Sequence, residues 1–216
     1  MFNITVLSSF HKMYGKCNPG ELYKIIEEIR PNIIFEELSH EVFKVIYSFD
    51  YQPQTVEAIT IKNYLQKYSV KHFPVDNYPI KETDLFSDAQ IIWDGSSEYR
   101  DLWNNKLLRL SQDGYKFLNS NECIEMLDRM RIIEETFLTQ TNNVKLLNEH
   151  RTEKALHEKR ENEMLRAIYY YSGQYAFDKA LFICGAEHRK PLRQKTKEYE
   201  ANEPLKLKWT FYNDNQ

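Results

Sequence analysis

A chain of 216 residues that is 42% hydrophobic and 28% charged has the balance of an ordinary globular protein with a sizeable core, which excludes a disordered chain. Its net charge of −3 excludes a global positive field for nucleic acid or an anionic membrane, and no apolar run reaches the ~20 residues of a membrane span. Cys17, Cys123 and Cys184 are scattered without a CxxC spacing, so free thiols and a cytoplasmic location are expected.

The opening "MFNITVLSSF" has no basic region and too short an apolar run for a signal peptide. Its "NITVLSS" (3–9) reads as a first strand entering the core. "NPGELYKIIEEIR" (18–30) predicts a helix: Asn18 can cap it, Pro19 suits its first position, and Leu22, Ile25, Ile26 and Ile29 share one face. "PNIIFEELS" (31–39) predicts a strand covered on both faces. "VEAITIKNYLQKYSV" (56–70) predicts a helix that runs into a third strand, "VKHFPVD" (70–76). Alternating strands and helices imply a parallel α/β sheet.

The alternation then stops. Residues 77 to about 157 carry turn signals ("NYP", "DGSS", "QDGY") and amphipathic stretches, notably 121–138, with no strand pattern. A helical insertion covering the carboxyl ends of the strands is expected there, in the position of a lid. "RTEKALHEKRENEMLRAIYYYS" (151–172) predicts a charged helix with Leu156, Met164, Leu165 and Ile168 inward. "ALFIC" (180–184) is the fourth strand, and "LKLKWTFY" (205–212) alternates as a half-exposed edge strand. The expectation is a single α/β domain over 1–216, with a mostly parallel central sheet of about five strands flanked by helices.

Ligands of open parallel sheets gather beyond the carboxyl ends of the strands. Ser8, Ser9 and His11 follow the first strand, Glu36 and Glu37 the second, His72 and Asp76 the third, and Gly185, Glu187, His188 and Arg189 the fourth. Each alone has an ordinary explanation as a polar loop, a helix cap or a turn former. Together they point to one pocket. His40 and His150 read as solvent-facing, and His157, one helical turn before Arg160, either joins the site or, as the preferred reading, lies on the helix surface. Tyr169, Tyr170, Tyr171 and Tyr175 read as packing at a helix end, because no basic groove accompanies them.

Four short motifs recur in order. "CGAEH" holds Gly-x-x-His through Gly185 and His188, and "VLSSFH" holds His11 with Ser8 at the glycine position. "PNIIFEEL" carries Glu37, with Glu36 as its neighbour, and "EKRENEM" places Arg160 four residues before Met164. In these motifs the chain resembles the TraB/PrgY/Tiki family, within the clan that includes ChaN-like and erythromycin-esterase-like proteins. The likeness spreads along most of the chain but leaves 77–157 without a family signature.

The resemblance implies hydrolysis of a peptide or small ester substrate. It implies that His11, His188 and Glu37 hold a divalent Mn, Co, Fe or Zn ion whose bound water attacks a carbonyl. Arg160 would stabilise the oxyanion or orient a carboxylate of the substrate, Glu36 or Glu187 would act as general base, and Asp76 would sit behind a histidine. The metal rests on the resemblance alone, since no compact signature such as HExxH is present. A metal-free version needs only a glutamate–histidine pair activating water. The alternative is a non-catalytic small-ligand, metal or haem-binding protein that uses the same pocket.

Overall fold

The computed structural model describes residues 2–77, 87–141 and 143–214. β1 (Phe2–Ser9), β2 (Ile33–Glu36), β3 (Lys71–Pro74), β4 (Lys179–Gly185) and β5 (Leu207–Phe211) form one sheet in the order β3-β2-β4-β1-β5. Every neighbouring pair is parallel. All strand carboxyl ends therefore lie on one side, which is what assembles the site. β2 is buried along its whole length and β4 from Ala180 to Cys184, the pattern of strands covered on both faces. β5 lies at the edge, with Leu207 buried and Lys208 exposed.

One face is covered by α1 (Pro19–Ile29) and α3 (Val56–Lys67). Leu22, Ile26, Ile61 and Tyr64 pack there in one core with Leu7, Ile34, Leu181 and Ile183. The Asn18 side chain accepts the Glu21 N–H at the start of α1, and Thr55 accepts the Ala58 N–H at the start of α3. Between β2 and α3 a short helix, α2 (His40–Ile46), is capped by Ser39.

α4 (Ser87–Gly95), α5 (Ser97–Asp113), α6 (Tyr115–Leu118) and α7 (Asn121–Gln140) follow. Leu110, Phe117, Leu118, Met126 and Leu127 join the first core, while Ile92, Tyr99, Met130, Leu138 and Leu146 form a smaller one. No strand occurs among the described residues of 77–157. The turn expected at "NYP" lies outside the described residues beyond Asn77. α8 (Val144–Gln174) starts ahead of the expected 151, because Asn143 caps it by accepting the Leu146 N–H.

α8 and α9 (Arg189–Asn202) cover the other face, where Met164, Leu165, Ile168 and Leu192 meet Ile4, Val6, Phe35 and Phe182. The strand-end segment at Gly185 does not open into a loop. A 3-10 turn, Ala186–His188, leads straight into α9. Arg189 is fully buried, and its guanidinium donates to Asn119 Oδ1, the Asn119 and Tyr212 carbonyls and Asp214. It is a structural clamp rather than a member of the strand-end pocket. The three cysteines are free and buried. Among the described residues no helix is long and apolar enough to cross a membrane.

Candidate active site

The carboxyl ends of β1, β2 and β4 converge on the Glu37 carboxylate. The Glu37 N–H still donates to Ile183, which fixes its backbone beside β4. The Gly185 N–H donates to Glu37 Oε2 at 2.6 Å, and Glu37 Oε1 lies 2.6 Å from Arg160 Nη2 and 3.2 Å from His188 Nε2. Arg160 also holds both oxygens of Asp76, with Nη2 2.6 Å from Oδ2. The next residue on α8, Glu161, projects about 100° further round the helix. Its Oε1 is 3.0 Å from His188 Nδ1, and its Oε2 is 3.0 Å from Lys195.

His11 enters from the β1 side. Its carbonyl accepts the Val56 N–H, and its Nδ1 lies 3.3 Å from Glu57 Oε1 in the first turn of α3. Each of the two histidines thus has a carboxylate at Nδ1 while Nε2 is left for the centre of the site.

Gly185 leaves the space between them. A Cβ there would lie 3.5 Å from His11 Nε2, 3.6 Å from Glu37 Oε2 and 3.9 Å from the His188 ring. Its backbone, φ −57° and ψ 145°, is open to any residue. The glycine supplies room, not conformational freedom. Ser8 fills the other motif position inside regular β1 pairing, and its N–H and carbonyl are both held by Asn119.

The charges fit this geometry. Burial would raise the Glu37 carboxyl, but His188, His11 and Arg160 overcome it and hold Glu37 well below the usual carboxylate range. Burial would lower His188, yet Glu37 and Glu161 push it up to about 9. Desolvation opposes His11 in the same way, and Glu57 with Glu37 pushes it up to about 9. The His11 ring remains half exposed. The Arg160 guanidinium is raised by Asp76 and Glu37 against its own desolvation.

Several sequence-derived candidates lie elsewhere. Glu36 points away from Glu37: its Oε1 is 2.7 Å from His72 Nδ1, and its Oε2 accepts the Tyr47 hydroxyl. Burial raises the Glu36 carboxyl, only partly offset by His72 and Tyr47. Asp76 serves Arg160 instead of a histidine. The positions behind the histidines belong to Glu57 and Glu161, which sequence reasoning missed. An acid in the first turn of a helix reads as a dipole partner, and Glu161 hides in a charged run. Glu187 is half exposed beside Arg131, away from Glu37. His157 is not a free helix-surface residue, because its ring stacks on His188 at 5.3 Å.

Among the described residues, no group of three or more His, Cys, Asp or Glu is arranged to hold a metal ion. No family model, curated protein or solved structure matches the chain.

Proposed function

We propose that the protein is a hydrolase of ester or peptide bonds whose reacting groups are His11, Glu37, Arg160 and His188. The observation that carries this reading is the Glu37 carboxylate, approached together by Arg160, His188 and the Gly185 N–H beside the half-exposed His11. The motif order resembling the TraB/PrgY/Tiki family supports it.

In this reading the scissile carbonyl lies over the Gly185 space. Arg160 offers a fixed positive charge to the oxyanion that forms on attack. Its pairing with Asp76 holds the guanidinium in place beforehand, so little reorganisation is needed. Glu37, held ionised by its neighbours, is a poor base and acts as the electrostatic anchor of the two cations. Proton transfer falls to the histidines, in dyads with Glu57 and Glu161 that compensate an imidazolium charge. Open to solvent, the neutral fraction of His11 takes the proton of the attacking water, so turnover should rise as pH approaches about 9, and protonated His188 gives one to the leaving group. The helical segment before α8 acts as the cover over the strand ends.

The donor chemistry also fits a divalent ion. Two imidazoles, each backed by a carboxylate at Nδ1, and one shared carboxylate are suitable donor types, although among the described residues they are not arranged as a metal-holding group. His11, His188 and Glu37 would hold such an ion, which when bound supplies a water acidified towards neutral pH.

A panel of chromogenic esters and peptides, with and without added Mn, Co, Fe or Zn, tests the reading. Hydrolysis by the parent protein that disappears in His188→Ala, with helicity unchanged, is the expected result. No hydrolysis under any of these conditions would remove the hydrolase and leave a ligand-binding pocket.

A further inference from the structure

α5 turns Tyr99, Leu102, Trp103, Lys106 and Leu110 towards the interior at the three- and four-residue spacing of an amphipathic helix. Lys106 breaks that stripe, yet it is only 6% exposed. Among the described residues it has no carboxylate within ion-pairing distance of Nζ. Nζ lies instead 4.0 Å from the centre of the Trp103 ring and 6.0 Å from that of Phe10. The charged or titratable groups facing it at longer range are Glu187, Cys123 and Glu134, and burial pulls its amine below the usual lysine range.

Ring contacts recover only part of the cost of burying an ammonium. As a packing residue at this position, Met or Leu would serve better. Phe10, whose ring centre lies 6.0 Å from Nζ, directly precedes His11, and Glu187, which faces Nζ at longer range, directly precedes His188, so the lysine borders the neighbours of both histidines. We propose that Lys106 is the anchor for a carboxylate on the substrate, and that the enzyme prefers esters or peptides with a negatively charged group near the scissile bond. The rings favour this chemistry over a phosphate. One ammonium between aromatic walls offers a single charge and no bidentate fork, which suits a weakly hydrated monoanion. The assignment rests on the hydrolytic reading of the Glu37 cluster.

The test compares two 4-nitrophenyl esters of similar size, the hemisuccinate and the neutral butyrate, on the parent protein, Lys106→Met and Lys106→Arg. The parent is expected to favour the hemisuccinate. Lys106→Met should lose about tenfold or more in kcat/KM for that ester, chiefly through KM, with the butyrate little changed and the thermal midpoint higher. Lys106→Arg should keep part of the preference. An equal loss on both esters, or a preference that survives Lys106→Met, overturns the proposal.

If the parent hydrolyses neither ester nor any member of the ester and peptide panel above, the hydrolase reading fails separately, and binding decides the lysine. Glutarate should then raise the thermal midpoint of the parent but not of Lys106→Met, while neutral glutaramide has no effect. A glutarate shift absent from the parent, or unchanged in Lys106→Met, overturns the assignment.

Discussion

Glu36 and Glu37 are consecutive, and both side chains are nearly buried at the end of β2, yet they occupy opposite electrostatic worlds. Glu37 meets Arg160, His188 and a backbone N–H and is held ionised. Glu36 meets Tyr47 and His72 beneath α2, and its carboxyl is pushed up. Burial acts the same way on both, so the difference lies wholly in the partners. Full positive charge within hydrogen-bond reach reverses the desolvation of a carboxylate, whereas a phenol and one imidazole only reduce it. The first arrangement suits chemistry that needs a fixed charge. The second suits joining a helix to a sheet.

Removing the Glu37 charge should have the largest effect. Glu37→Gln leaves Arg160 with Asp76 and His188 with Glu161 but removes the carboxylate they share, with an expected loss of about 1.5–3 kcal/mol in urea unfolding and of all activity above background. Gly185→Ala should separate function from folding. Its methyl group meets only ordinary contacts, so stability should stay within ~1 kcal/mol of the parent. Activity should fall on the order of a hundredfold as the reacting space fills. Parent-like turnover in this variant would show that the space at Gly185 is not used.

A pH series sharpens the same contrast. The raised values of His188 and His11 give stability that is fully present below about 6.5, the ordinary histidine value, and lost as pH rises through about 9. Denaturation midpoints should therefore decline over that window, and less steeply in His188→Gln. The smallest effect is expected for Glu36→Gln, which keeps acceptors and donors for Tyr47 and His72 and should change stability by no more than about 1 kcal/mol. A collapse of Glu36→Gln comparable to that of Glu37→Gln would break the distinction.

The frame of the fold was readable where local chemistry and packing agree. The apolar runs of β2 and β4 and the Asn18–Pro19 start of α1 announce themselves. α9 does not, because Arg189 takes a fully buried position that an apolar residue usually marks, leaving only Leu192 and Thr196 beside it on the inward face. At the candidate site, residues delivered by strand ends were legible because parallel topology gathers them. Their partners were not. Glu57 and Glu161 arrive from helices, and helical acids carry no mark of which neighbour they will meet. Lys106 was hidden for the opposite reason: only its burial makes a lysine unusual.

The register of the central strands also sets a timetable. Asn3 pairs with Lys179 and Ser9 with Gly185, so β1 must wait for β4 before the middle of the sheet can close. Contacts of such long sequence separation form slowly. While the ribosome is still making α8, the apolar faces of β1 and β2 lack the strand that joins them, and His11 lacks its counterpart. A nascent chain stalled before Gly185 is therefore expected to be both inactive and prone to aggregate.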